Sequence, residues 1–266
     1  MKQKVSLVLS GGGARGIAHI GVIEELEKEG FEIVSISGAS MGALIGAIYA
    51  NGKLKEYKDW LCTLKKMDVY RLMDFTITKQ GFVKGNKIFK KMTDFIGEST
   101  FEDLPFPLTV NATNISLNQE VVFDSGRLDF ALRASVAIPT VLTPVKHNGH
   151  ILIDGGVINN LPINNVKRFK NDIVVAVDVT ANPESLRENT KPKLKMNYFD
   201  IISKSIMVLI EKVSEHTIEI YQPEVVIKIP NDSANVLDFY KAKKMINLGK
   251  EKAKEAIGKY LKSIEK

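Results

Sequence analysis

A serine stands between two glycines in the stretch GASMG, residues 38–42. Turns of this kind, placed between a strand and a helix, expose a serine hydroxyl so that it can act as a nucleophile. The apolar stretch before Gly38 predicts the strand, and the small-residue stretch from Met41 onward predicts the helix. Gly38, Met41 and Gly42 would then shape a tight turn around Ser40. The alternative interpretation is an ordinary glycine turn in which Ser40 caps the helix.

A second glycine-rich turn, GGGARG, occupies residues 11–16. Dinucleotide-binding turns share its outline, but they require an acidic residue at the end of the second strand, and that strand here ends in SISGAS. A P-loop requires Lys followed by Ser or Thr after its last glycine, which Gly16 lacks. Consecutive glycines can instead turn their backbone N–H groups toward an anion. A tight turn that needs glycine only for close packing is the alternative.

The glycine turn and the serine turn are expected to meet in space. Each follows a strand of a predicted strand–helix–strand unit, and neighbouring parallel strands end at the same edge of a sheet. The N–H groups of Gly11, Gly12 and Gly13 should therefore lie near Ser40, where an acyl oxyanion would form. For Arg15 two roles stay open, steadying the loop or contacting a phosphate, beside the plain alternative of a surface arginine.

A nucleophilic serine needs a base, and the histidines make poor candidates. His19 falls inside the first predicted helix, His147 and His150 flank an Asn-Gly turn, and His216 lies in an amphipathic stretch without a motif. The other candidate is Asp154 in HILIDGG, at the end of a predicted strand. Followed by Gly155 and Gly156, it can approach the end of another strand. On its own, an Asp-Gly pair is more often a simple turn.

The three motifs together resemble the patatin-like phospholipase family. GGGARG, GASMG and DGG occur in that order, and RASVAIPTVLTPV, residues 133–145, resembles the block that precedes the family's aspartate motif. The resemblance covers roughly residues 4–180. TVLTPV matches the family's aromatic-containing form only loosely, which bears on the shape of the pocket rather than on the chemistry.

The resemblance implies a Ser-Asp dyad in which Ser40 is the nucleophile and Asp154 the base, with no histidine. It also implies that N–H groups of the 11–16 loop form an oxyanion hole, with Arg15 steadying that loop. The family fold is an α/β three-layer sandwich, with a central, mostly parallel sheet flanked by helices. Members hydrolyse acyl esters of lipids, and some transfer the acyl group. Neither a cofactor nor a metal is expected.

The predicted elements agree with an α/β fold. Strands alternate with helices through the first fifty residues, a pattern typical of a parallel sheet with crossover helices. Further strands and helices are predicted by short apolar runs and by helical spacing; the strands fall at 105–116, 119–125, 149–156, 171–180 and 223–230, and the helices at 53–66, 84–96, 128–138, 198–220 and 238–264. No Pro/Gly/Ser-rich linker divides the chain, which favours one domain over residues 1–266.

The final third carries no motif. Residues 181–197 are polar, contain Pro183 and Pro192, and are predicted to form a mobile loop. The 198–220 helix is a candidate wall or lid for an acyl chain, although an apolar stripe more often faces a core. Nine lysines against four acids between Asp238 and Lys266 predict either a solvated helix surface or a contact with anionic membranes. Residues 198–266 would thus extend the motif-bearing core with helices and a strand.

Composition limits the remaining classes. A chain that is 44% hydrophobic and 26% charged, with net charge +6, is typical of a globular protein with a real core. Cys62 is the single cysteine, and neither a signal peptide nor a membrane-spanning run is apparent, so we expect a cytoplasmic protein without disulfides. Lipid or acyl-ester substrates are expected, and nucleic acid is not. The open alternatives are an acyltransferase and a non-catalytic module that binds an anion or nucleotide.

Overall fold

The structure, a computed structural model, describes residues 2–72, 75–78, 81–83, 86–139, 141–183 and 197–265. Its strands are β1 (Lys4–Leu9), β2 (Glu32–Ala39), β3 (Phe75–Thr78), β4 (Gly81–Val83), β5 (Leu108–Asn114), β6 (Gln119–Phe123), β7 (Val145–His147), β8 (His150–Asp154), β9 (Asp172–Ala181) and β10 (Val225–Pro230). Its helices are α1 (Ala18–Lys28), α2 (Met41–Ala50), α3 (Leu54–Leu61), α4 (Lys66–Leu72), α5 (Asn86–Ile96), α6 (Leu128–Ser135), α7 (Tyr198–Tyr221) and α8 (Ala242–Ile264).

Eight of these strands form one mixed sheet in the order β10-β9-β1-β2-β5-β8-β7, with β6 also paired to β5. The five strands from β10 to β5 run parallel, whereas β6, β7 and β8 are antiparallel to their neighbours. Parallel strands β1 and β9 are buried almost throughout, as expected for a sheet covered on both faces. β3 and β4 form a separate two-stranded sheet.

Helices cover both faces of the large sheet. The main apolar core packs α1, α2 and α8 against one face. A smaller cluster, which includes Val8, Leu161 and Val174, packs on the other face together with Ile218 of α7. The predicted central, mostly parallel sheet flanked by helices is therefore confirmed.

The last helix packs closely on the first. A Cβ on Gly249 of α8 would overlap the carbonyl oxygen of Ala18, and one on Gly21 of α1 would overlap that of Ile246. Glycine at both positions lets the two backbones touch. The salt bridge from Lys250 Nζ to Glu24 Oε2, 2.8 Å long, joins the same two helices.

Most predicted elements are present with shifted ends. The first helix begins as a 3₁₀ turn at Gly13–Ile17, and the helix predicted at 53–66 ends at Leu61, after which α4 forms separately. Short β3, β4 and β7 were not predicted, because three or four residues hardly establish a period. Most of the predicted mobile loop, residues 184–196, lies outside the described residues.

The burial of α7 contradicts the expectation of a core helix. Its buried residues include the polar Glu211 and Ser214, while large apolar side chains on the opposite side are exposed. Spacing alone located the helix, but it could not show which side packs on the protein.

Candidate active site

Ser40 occupies a strained turn between β2 and α2. Its φ of 51° and ψ of −121° fall in a region that favours glycine, so the side chain is held there at a cost of about 1–3 kcal/mol. A Cβ on Gly42 would overlap the carbonyl oxygen of Leu9, and one on Gly38 would overlap the backbone of Ala43. The small residues of GASMG thus let β1, β2 and α2 meet closely beneath the Ser40 hydroxyl.

Asp154 is the hydrogen-bond partner of the Ser40 hydroxyl. Ser40 Oγ donates to Asp154 Oδ2 at 2.5 Å, and the Gly156 amide donates to Asp154 Oδ1 at 2.7 Å. Ser40 is 4% exposed and Asp154 6%. Burial raises the pKa of Asp154 to about 6, although the two hydrogen bonds act in the opposite direction. The carboxylate is therefore a stronger base than a solvated aspartate.

The chain holds Asp154 through its backbone at the end of β8. Its amide donates to the carbonyl oxygen of Ala137 at 3.0 Å, and its own carbonyl accepts from Thr113 Oγ1 at 2.9 Å. β8 pairs Asp154 with Ala112 of β5. Gly155 follows in contact with the Asn111 backbone, where a Cβ would overlap it. Gly155 and Gly156 therefore serve the approach and the hydrogen bonding of this carboxylate, as their position in the motif predicts.

The glycine loop lies against Ser40. A Cβ on Gly11 would come within 3.1 Å of the Ser40 Cβ, and Gly12 packs on Val179. The Gly11 amide is already used, since it donates to the Asn160 carbonyl at 3.2 Å. Within the described residues, the amides of Gly12 and Gly13 have no acceptor. These two amides are the loop's remaining available donors.

Arg15 is buried beneath the loop. Its guanidinium donates to the carbonyl oxygens of Asn231 at 3.0 Å and Ala234 at 3.4 Å, and the Ala14 amide donates to Val236 at 2.9 Å. Burial lowers the pKa of Arg15 to about 10, and the charge of Asp178 opposes this shift. Of the three roles considered for Arg15, the structure supports steadying the loop and excludes a surface arginine.

Gly16 brings the loop close to the serine turn. It packs on the side chain of Met41, the residue after Ser40, and a Cβ would overlap that side chain. The Ser40 amide donates to Ser135 Oγ of α6 at 2.8 Å, which ties the turn to a third element. All sequence-predicted site residues, from Gly11 to Gly156, are thus brought together at one edge of the sheet.

The histidines do not contact Ser40. His19 is buried, with Nε2 2.9 Å from the carbonyl oxygen of Ser10, and burial lowers its pKa to about 4. His147 and His150 pair across the β7–β8 turn. His216 is exposed on α7 and lies 3.2 Å from Glu219. Among the described side chains, Asp154 is the only hydrogen-bond partner of the Ser40 hydroxyl.

Ser40 lies at the wall of an apolar cavity. Apart from Gly13 and Ser40, the lining consists of aliphatic, aromatic and methionine side chains from the helices α2 to α5 and from the segments 136–142 and 236–239. The members on α2, α3 and α4 are Met41, Leu44, Tyr57, Trp60, Leu61, Val69 and Leu72. The helix predicted at 198–220 is not among the lining elements. The cavity has the chemistry to hold a hydrocarbon chain beside the Ser40 hydroxyl.

Comparison with known proteins identifies the family. The family model described as patatin-like phospholipase matches residues 7–167. The chain belongs to the patatin-like phospholipase family. An NTE family protein of Mycobacterium tuberculosis is 36% identical over 208 residues, which are 78% of this chain and 58% of that protein. Lysophospholipase NTE1 of Yarrowia lipolytica is 34% identical over 209 residues, or 76% of this chain.

The relatives are longer than this patatin-like chain. The match spans 58% of the mycobacterial protein and 14% of the yeast lysophospholipase. Among solved structures, that of VipD from Legionella pneumophila is similar with a TM-score of 0.53 at 15% identity, covering 97% of this chain and 67% of VipD. At that identity, the likeness concerns the fold alone.

Several residues of this patatin-like site were not identified from the sequence. Asn160 accepts from the Gly11 amide, and its side-chain amide donates to Thr180 Oγ1 at 3.3 Å and Ser214 Oγ at 3.2 Å. Ser135 holds the Ser40 amide. The only sequence signal for Asn160 is its place six residues after Asp154; nothing local marks Ser135 or Ser214.

Proposed function

We propose that the protein is a serine hydrolase that cleaves acyl esters of lipids, of the phospholipase A, lysophospholipase or esterase type. The observation that carries the proposal is the 2.5 Å hydrogen bond from Ser40 Oγ to the buried Asp154 carboxylate, beside an apolar cavity. A phospholipase family and a lysophospholipase relative support lipid esters as substrates.

Acylation begins at Ser40. The Oγ attacks the carbonyl carbon of the ester while Asp154 Oδ2 takes its proton, so that a tetrahedral intermediate forms. The ordinary pKa of a carboxyl group is near 4, which makes a solvated aspartate a weak base for a hydroxyl. Burial raises the pKa of Asp154 to about 6 and reduces this mismatch. The proton then passes from Asp154 to the leaving alcohol, and the carbon–oxygen bond breaks.

Two backbone donors would stabilise the negative oxygen of the intermediate. The Gly12 and Gly13 amides are available in the loop beside Ser40, and Gly13 also lines the apolar cavity. Donors fixed in advance contribute most where water is excluded. Deacylation repeats the steps with water: Asp154 takes its proton, the hydroxide oxygen joins the acyl carbon, and Ser40 regains its proton as the fatty acid leaves.

A fluorophosphonate probe tests the nucleophile directly. We expect labelling at Ser40, located by peptide mass spectrometry, in the wild-type chain and not in Ser40→Ala. Ester and lysophospholipid hydrolysis should be lost in Ser40→Ala and in Asp154→Asn. Ser263→Ala, at an exposed serine near the end of α8, is the matched control and should keep wild-type activity. Full activity in Asp154→Asn, or no labelling together with tight nucleotide binding, would contradict the proposal.

The acyl acceptor is tested separately. The same acyl-enzyme could pass its acyl group to an alcohol rather than to water. The substrate is incubated in water with a lysolipid or glycerol as acceptor, and the products are separated by chromatography. The product mixture distinguishes hydrolysis from acyl transfer. We expect free fatty acid as the main product; a predominant acylated acceptor would make the protein an acyltransferase.

A further inference from the structure

α7 carries an exposed apolar stripe on the side turned away from the protein. Of the 20 large apolar side chains that are exposed in the described residues, nine lie in this one helix of 24 residues. At 100° per residue, its main members fall within an arc of about 140°. They are Ile201, Ile202, Ile206, Leu209, Val213 and Ile220.

The opposite side of α7 is anchored by polar contacts. Ser214, which is fully buried, accepts from Asn160, and Glu211 accepts from Asn231 at 3.0 Å. Met207 contacts Arg15 below the glycine loop. Because these partners would be lost if the helix rotated, the stripe cannot turn inward to join the core. An apolar patch that is fixed outward marks a surface that binds an apolar partner.

Charge around the N-terminal half of α7 indicates what kind of partner. Lys204 is exposed and has no ion pair among the described residues. Two more exposed lysines, Lys243 and Lys244, lie near the segment that begins at Asn231, which α7 contacts. Lys244 Nζ donates to the carbonyl oxygen of Ser233 in that segment. Of the described acidic residues nearby, Glu219 is exposed and Glu215 half-buried in the C-terminal half of α7, and Asp232 is exposed in the segment that begins at Asn231.

We infer that the N-terminal half of α7 docks on an anionic membrane surface, with Ile201, Ile202, Ile206 and Leu209 entering the acyl boundary. Amphipathic helices lie in membrane interfaces in this way, with apolar residues inserted and lysines at the anionic head groups. Exposed Leu237 lines the apolar cavity and follows the segment that α7 contacts. Docking would therefore bring the cavity to the lipid. This inference rests on the proposed function, in which a membrane lipid is the substrate.

Vesicle binding tests the inference without catalysis. Ser40→Ala protein is sedimented with vesicles of equal parts phosphatidylcholine and phosphatidylglycerol, and with phosphatidylcholine alone. We expect binding to the mixed vesicles, weakened by salt and by the double variant Lys243→Gln/Lys244→Gln. Leu209→Glu should reduce binding about tenfold or more, because a charge replaces an inserted apolar side chain. Ile264→Glu, at an equally exposed apolar residue at the end of α8, should bind like the parent.

Three results would overturn the inference. The first is that the protein does not bind mixed vesicles at low salt. The second is that Leu209→Glu and Ile264→Glu reduce vesicle binding equally. The third is that Leu209→Glu dissociates a dimer in solution, which would assign the stripe to a second copy of the chain. Ile206→Glu provides a second variant if Leu209→Glu folds poorly. In the active chain, which retains Ser40, Leu209→Glu should slow hydrolysis of vesicle lipid and leave hydrolysis of a short-chain, water-soluble ester unchanged. Loss of both would place the defect in the proposed site instead.

Discussion

Ser40 Oγ and Asp154 Oδ2 meet at 2.5 Å although the strands that carry them run in opposite directions. β2 is parallel to β5, and β8 is antiparallel to it. Ser40 therefore follows the carboxyl end of β2. Asp154 reaches the same position at the end of β8, which runs toward it from the opposite direction. Both side chains are buried there, and the carboxyl group has lost much of its hydration.

The pH dependence of hydrolysis should follow the ionisation of Asp154. Because burial raises its pKa to about 6, kcat/KM for a soluble ester is expected to rise with pH through about 6 and then level off. Only the ionised carboxylate can take the serine proton. The pH profile of kcat/KM checks this, and any background rate measured with Asp154→Asn should lack the step. A midpoint near 4 would show that the carboxylate is solvated.

Asp154→Asn should unfold less readily at neutral pH than the wild-type chain. The carboxyl pKa is about 6 in the folded chain, against an ordinary value of 3.8, so the folded state holds more protons between those values. The contribution of the Asp154 carboxyl group to the free energy of unfolding therefore falls as pH rises from about 4 to about 6. Urea unfolding at neutral pH and below about pH 4 measures the effect. The stability that Asp154→Asn gains over the wild-type chain should be smaller at the lower pH. An equal gain at both pH values would exclude ionisation of Asp154 as its cause.

Replacement of Ser40 separates strain from chemistry. Ser40→Ala keeps a Cβ at φ 51°, whereas Ser40→Gly removes it. We expect the glycine variant to be more stable than the alanine variant by on the order of 1 kcal/mol, after allowance for the greater freedom of glycine in the unfolded chain. Both should be inactive. Chemical denaturation provides the comparison, and equal stability would mean that the turn relaxes without glycine.

Filling the cavity should shorten the preferred acyl chain. Leu64 lines the cavity, so Leu64→Trp occupies volume that a long chain needs. We expect kcat/KM for a long-chain ester to fall at least about tenfold relative to a short-chain ester, which is comparable to losing one or two buried methylene contacts. Met67→Trp, at an exposed residue of α4, is the control. Parallel losses for both chain lengths would argue against this cavity as the acyl site.

The sequence predicted the edge of the sheet where the motifs meet. GGGARG and GASMG each follow a buried parallel strand, so their meeting follows from the alternation of strands and helices. The resemblance to the family, rather than any spacing, selected Asp154 over the histidines. Its 2.5 Å contact with Ser40 agrees with that choice.

Local patterns could not predict what comes from distant segments. Asn160 is joined to Gly11, Thr180 and Ser214 by hydrogen bonds that only the folded chain brings together. The cavity walls come from α2 to α5 and two loop segments, none of which carries a pattern for lining a pocket. Apolar spacing could not predict the packed side of α7, because that side combines the polar Glu211 and Ser214 with Ile218, while the regular apolar stripe faces outward.

The segment from Asn231 to Val236 accepts hydrogen bonds from Ala14 and Arg15 in the glycine loop. It lies beyond every recognisable motif, more than two hundred residues from the loop it supports. A fragment cut after Ala181 would keep the serine, the aspartate and all the motif glycines, yet the loop would lose these acceptors. The reactive edge is therefore complete only when this distant segment packs against the glycine loop.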